Sequence, residues 1–237
     1  MGQWIIKREG PVAVLSMDDG KANALTMSEF EGLSRALAEI ATSDAGAMVL
    51  TGRPGYFTAG LNLKVLPTLA TAELEKLITK FGEVTLELLL FPKPVVAAVS
   101  GHALGAGGIF AFASDVRLFA EGPFKFGLNE VPGGLFVPTF GIVSAKVTAA
   151  SEQLTGLIMH GQVFGPAEAL SRKIAESLHA PDALLPAAIA RATGLADLGG
   201  HGYALTKKLL RGPLAEEARR ALPSEVAELG TALGAKR

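Results

Sequence analysis

The stretch from Pro92 to Val131, PKPVVAAVSGHALGAGGIFAFASDVRLFAEGPFKFGLNEV, decides how the rest of the chain is read. Val95 to Ser100 is a run of small and β-branched apolar residues, preceded by Pro92 and Pro94 and stopped by Gly101, and it predicts a buried strand. Gly105-Ala-Gly-Gly108 then opens into Ile109–Ala113, an apolar run closed by Ser114-Asp115, which predicts a helix. A strand, a glycine-rich turn and a helix start bring unpaired backbone N–H groups to a positive helix end. Glu130 follows Phe126-Gly-Leu-Asn129, an apolar neighbourhood in which burial raises a carboxyl pKa and suits the group to act as a base. Donors for a developing negative charge beside one carboxylate mark a candidate site.

Composition narrows what that site serves. With 237 residues, 49% of them hydrophobic, the chain can bury a large core as one domain with at most a small appendage. A net charge of −1 supplies no field for nucleic acid or an anionic membrane. The absence of cysteine removes disulfides, thiol catalysis and thiolate metal sites. The start, MGQWIIKREG, is charged and does not read as a secretory signal, and no apolar run reaches the roughly 18–20 residues of a membrane span. A soluble, cytoplasmic protein is the expectation.

On the N-terminal side, Trp4–Met17 reads as two strands joined at Gly10-Pro11. Asp18-Asp19-Gly20-Lys21 is a solvated turn rather than a metal site, since no third ligand lies nearby. Thr26-Met-Ser-Glu29 is a capping box, followed at helical spacing by Phe30, Leu33, Leu37 and Ile40. Ala47–Thr51 is a buried strand, and Leu74, Ile78, Phe81 and Leu88 mark a helix that ends before Pro92. Between them, Gly60 sits at a close turn that would aim the N–H of Leu61 into a cavity.

On the C-terminal side, Val143–Leu157 is helix-like and Gly165-Pro166 opens a short helix. From about Pro181 the chain reads as helices broken at Gly199-Gly200-His201-Gly202, Gly212-Pro213 and Pro223, with faces suited to another subunit. No P-loop, dinucleotide fingerprint or G-x-S-x-G elbow is present, and His102, His160, His179 and His201 lack metal-ligand spacing. No metal is expected.

Four segments in order carry a family resemblance: Asn23-Ala-Leu25, Phe57-Thr-Ala-Gly-Leu-Asn-Leu63, Ala97–Gly108 followed by Ser114-Asp115, and Phe126-Gly-Leu-Asn-Glu-Val131. Together they resemble the successive signatures of the crotonase, or enoyl-CoA hydratase/isomerase, superfamily over roughly the first three-fifths of the chain. The resemblance implies an α/β fold, a spiral of ββα units over 1–185 carrying an acyl-CoA site. A C-terminal helical region over 186–237 would serve a homotrimer or a dimer of trimers. It implies an acyl-CoA ligand in fatty-acid β-oxidation, with coenzyme A entering as part of the substrate and no separate cofactor.

By the same resemblance, the thioester oxygen lies between the N–H groups of Leu61 and Ala106, with Gly107 in place of Ala106 if the register shifts by one. Ala59, Gly60, Asn62 and Leu63 line the pantetheine path, Lys21 and Ala22 lie toward the nucleotide, and Gly105 and Gly107 shape the turn. Lys207 or Lys208 would reach a CoA phosphate, against the plainer reading of solvated lysines. Candidate acyl-pocket walls are Leu66, Phe81, Ile109, Leu135, Phe136 and Phe140.

One departure bears on the reaction. Hydratases of this family resemble one another in carrying two glutamates, and here the first falls on Ile109, leaving Glu130 alone. A single carboxylate is enough to move a proton from C2 to C4, and LNEV and AGLNL resemble the Δ3,Δ2-enoyl-CoA isomerase branch. Three readings stand: an isomerase with Glu130 as base; a hydratase, or hydrolysis or decarboxylation of another acyl-CoA; and a non-catalytic acyl-CoA-binding trimer. For Asn129, a side-chain bond to local backbone is the expectation.

Overall fold

The computed structural model describes residues 3–198 and 200–234. The chain opens with the hairpin β1 (Gln3–Glu9) and β2 (Val12–Asp18), turned at Gly10-Pro11 as the dipeptide predicts. A two-residue strand, β3 (Ala24–Leu25), leads into α1 (Met27–Thr42). The Thr26/Glu29 capping box is formed, and Phe30, Leu33, Leu37 and Ile40 make its buried face. Next come β4 (Ala47–Thr51), β5 (Gly55–Thr58), β6 (Gly60–Leu61) and the long helix α2 (Thr71–Leu89).

The decisive stretch supplies β7 (Val95–Val99), β8 (Gly101–Leu104), α3 (Ala106–Ala113), β9 (Val116–Ala120) and β10 (Phe126–Gly127). Then follow α4 (Thr139–Lys146), β11 (Val163–Phe164), α5 (Pro166–Ser171), β12 (Ser177–His179), α6 (Leu184–Ala196) and α7 (His201–Gly234).

The plan is a spiral. Strands β2, β4, β7, β9 and β12 run parallel in one sheet with β1 antiparallel on its edge. After a strand in that sheet the chain crosses to a second, ordered β11-β10-β8-β5, before a helix returns it. The crossing between β7 and β8 depends on Gly101, where a side chain would run into the backbone of Gly55. One core lies between the large sheet and α1, α2, α3 and α4. A second, on the sheet's other face, packs Val14, Val49, Val96 and Leu118 against Leu184, Ala188 and Ala192 of α6.

Several sequence expectations are corrected. Gly101–Leu104, between the predicted strand and the glycine-rich segment, forms a strand of its own, and of the segment Gly105–Gly108 only Gly105 lies outside the helix. The helix expected over Val143–Leu157 is broken after Lys146, where Thr148 bonds the carbonyl of Phe112 at 2.9 Å, and helical turns resume at Ser151–Gln153 and Thr155–Met159. The expected breaks at Gly212-Pro213 and Pro223 do not occur, because both prolines lie on the exposed side of α7, where water can satisfy the carbonyls they leave unpaired. Gly199 lies outside the described residues, and the division at 185/186 falls inside α6.

Both C-terminal helices lie on their own chain. The buried positions of α7 follow one helical stripe, Lys207, Arg211, Ala215, Ala218, Leu222, Val226 and Leu229, cationic at one end and apolar at the other. Lys207 and Arg211 both reach Asp115, at 2.7 and 3.0 Å. Lys207 also bonds the carbonyl of Lys93, so it is withheld from any CoA phosphate; Lys208 is exposed. Among the described residues no helix is long and apolar enough to cross a membrane.

Candidate active site

Four short segments converge at the start of α3. The first is the turn after β2. Asp18 and Asp19 accept bonds from the N–H groups of Gly20, Lys21 and Asn23, which is what their turn role requires, and no cluster of potential metal ligands occurs among the described residues. Asn23 follows with φ +52° and a fully buried side chain. Its amide donates to the carbonyl of Met17 at 2.8 Å and of Phe57 at 3.2 Å, tying the end of β2 to β5. Asn23 was legible only as part of a signature; its positioning role comes from the structure.

The second segment is β6, paired in parallel with β3. Ala59 donates to Ala22 and Asn62 donates to Leu25, at 3.0 and 2.9 Å. Ala59 and Asn62 are three residues apart and both face β3, so the alternation of an extended strand is interrupted between them, at Gly60. Gly60, at φ +87°, makes the approach: a Cβ there would sit 2.8 Å from the carbonyl of Leu104 and 3.4 Å from the amide nitrogen of Ala106. The amide nitrogen of Ala106, the first residue of α3, is thus brought against Gly60, the residue before Leu61.

The third segment is the cap itself. Gly105 has φ +53° and ψ −116°, a conformation closed to side chains. The N–H groups of Ala106, Gly107 and Gly108 belong to the first turn of α3, which has no intrahelical acceptor for them. Gly107 packs flat against the Thr58 carbonyl.

The fourth segment brings Glu130. Its carbonyl accepts from Leu135 at 3.0 Å, closing the turn that carries it. The carboxylate faces Gly105, with Oε1 3.5 Å from where a Cβ would stand. Oε2 is buried and has no hydrogen-bond partner among the described residues. Burial, opposed only by a bond to its own backbone, pushes the pKa up to about 7. A buried carboxyl poised near neutrality beside the open first turn of a helix is equipped to take a proton from a carbon next to a carbonyl.

Beside this centre a cleft of about 770 Å³ reaches the β3–β6 pair. Lys21, Asn62 and Leu66 line it, as do Met27, Leu69 and Leu77, which sequence reasoning did not single out; Glu130 is not on its wall. Glu29 also borders it, but Thr26 and Ser28 occupy its oxygens. Ala59 and Leu63 are exposed and Ala22 half-buried.

Ile109 is fully buried and packs on Gly141, whose Cβ would come within 2.9 Å of its Cδ1. Phe81 stacks on Phe30 and meets Phe140 edge to face, and neither lines this cleft; Leu135 and Phe136 are half-buried against the same core.

The family model for enoyl-CoA hydratase/isomerase matches residues 7–231. A probable enoyl-CoA hydratase, EchA17 of Mycobacterium avium (strain 104), is 30% identical over 201 residues, covering 84% of this chain and 78% of the relative. A Mycobacterium tuberculosis protein solved twice superimposes with TM-scores of 0.89 and 0.87 at 28% identity. It covers 97% and 95% of this chain and 97% and 98% of its own, and is described once as the probable enoyl-CoA hydratase EchA3 and once as an enoyl-CoA isomerase. Human mitochondrial Δ3-Δ2-enoyl-CoA isomerase shares the fold with a TM-score of 0.92 at 23% identity, over 98% of this chain and 92% of the human one.

Proposed function

The chain belongs to the enoyl-CoA hydratase/isomerase family, and we propose that it converts a 3-enoyl thioester of coenzyme A to the conjugated 2-enoyl thioester. The observation that carries this reading is the Glu130 carboxylate, its Oε2 buried without a partner and its Oε1 facing Gly105, while Ile109, where the family resemblance puts the hydratases' other glutamate, is a buried aliphatic side chain.

Ionised Glu130 takes a proton from C2. The electron pair left there spreads onto the thioester oxygen and along C3–C4, and the N–H groups of Leu61 and Ala106 hold the oxygen as it becomes negative. The same carboxyl, now protonated, delivers its proton to C4, and the double bond settles between C2 and C3. One acid suffices because acceptor and donor carbons lie on the same edge of a planar dienolate. Hydration of a 2-enoyl thioester asks for more, since water must be held and activated while a proton is delivered to C2. The relative described as a hydratase favours that second reading.

The two are separated by offering 3-enoyl-CoA and 2-enoyl-CoA in parallel and following the conjugated absorbance. Isomerisation creates the chromophore from the first substrate; hydration removes it from the second. Assembly as a homotrimer or a dimer of trimers belongs to the same proposal. Val131, Met159 and Val163, exposed by 39%, 65% and 42%, offer apolar contact surface near the turn that carries Glu130.

A further inference from the structure

Adjacent residues of an extended chain point to opposite sides, yet Asn129 and Glu130 converge. The Asn129 Oδ1 lies 3.7 Å and the Glu130 Oε1 3.5 Å from the same point, the position a Cβ would take on Gly105. The turn begun at Glu130, closed by bonds from Gly133 to the Asn129 carbonyl and from Leu135 to the Glu130 carbonyl, accounts for the convergence. The local side-chain bond expected for Asn129 is not made: its carboxamide has no hydrogen bond among the described residues. Asn129 is exposed, whereas Oε2 of Glu130 is buried, so the amide stands on the solvent side of the carboxylate.

The remaining step rests on the acyl-CoA reading. In an enoyl thioester the acyl part carries a single hydrogen-bonding atom, the thioester oxygen, which the backbone amides take. The next polar group is the pantetheine amide two methylenes beyond the sulfur, on the side that leads out to solvent. A carboxamide presents a donor and an acceptor side by side, the same pair an amide presents. We infer that Asn129 is a substrate-binding residue whose carboxamide pairs with the pantetheine amide next to the thioester sulfur, setting the position of C2 over Glu130.

The test measures binding, not turnover, for three saturated thioesters of one fatty acid: the CoA ester, the N-acetylcysteamine ester, which keeps the amide, and the n-butyl ester, which lacks it. Asn129→Ala and the bulk-preserving Asn129→Leu are compared with the parent chain. The expected result is a roughly fivefold to tenfold weakening for the two amide-bearing esters and less than twofold for the butyl ester. Equal weakening of all three, or none, overturns the inference. A parent chain that binds none of them sinks the acyl-CoA reading as well, whereas binding by the parent with no selective loss in the variants removes only the role of Asn129.

Discussion

Glu130 and Gly105 meet with the carboxylate oxygen Oε1 3.5 Å from the position a Cβ would occupy on the glycine. Gly105 is set by its backbone, at φ +53°, and that backbone starts the helix whose first amides face the site. On the proposed mechanism the base thus faces one residue of the cap, Gly105, and the next residue, Ala106, supplies an amide. Little rearrangement is needed between binding and proton transfer.

The raised pKa of Glu130 sets the pH dependence. Only the ionised form accepts a proton, so kcat/KM for isomerisation is expected to fall about tenfold per pH unit below about 7 and to level off above it. A pH–rate profile of the parent chain measures this. A limb near 4.5, the ordinary carboxyl value, would contradict the buried setting.

The same shift has a consequence for stability. A carboxyl whose pKa is higher folded than unfolded stabilises the fold below its unfolded pKa, and that contribution is lost as pH rises through the folded value. Glu130→Gln is therefore expected to be more stable than the parent at pH 8, by at most about 3 kcal/mol, with the difference vanishing near pH 4.5. Urea denaturation at the two pH values checks the sign.

Gly60→Ala tests the placement of the Leu61 amide. The added methyl meets the Leu104 carbonyl at 2.8 Å in a backbone region that side chains avoid. The segment must shift, and one oxyanion donor moves with it. A loss in kcat of roughly 10²-fold is expected, with a smaller change in binding of a saturated acyl-CoA.

Asp115→Ala tests what holds α7 in place. Lys207 and Arg211 are 5% and 8% exposed, and Asp115 is the carboxylate that both contact. Removing it leaves two buried cations facing one another, at an expected cost of roughly 3–5 kcal/mol in denaturant unfolding. A loss below about 1 kcal/mol would mean that water reaches the cluster.

Legibility in the sequence followed the strength of local signals. The capping box at Thr26 and the apolar periodicities of α1, α2 and β7 each had a one-dimensional signature, and all three elements formed. Strand β12 was missed because three half-buried residues at a sheet edge, Ser177–His179, carry no alternation to read. The continuity of α7 through Pro213 and Pro223 depends on which side of the helix faces water, a tertiary fact. At the site, Glu130 stood out as a lone acid among apolar residues. Asn129 did not, because only the turn after it aims its side chain at Gly105. Lys207 read as a surface lysine because its partner, Asp115, is 92 residues away.

The most direct test of the lone-carboxylate shuttle is the initial rate of conjugated-absorbance growth from 3-enoyl-CoA, with Glu130→Gln compared to the parent and acyl-CoA binding measured on both. A collapse of the rate by at least about 10³-fold with binding retained is the expected result. A glutamine variant that turns over within a few-fold of the parent would show that some other group carries the proton.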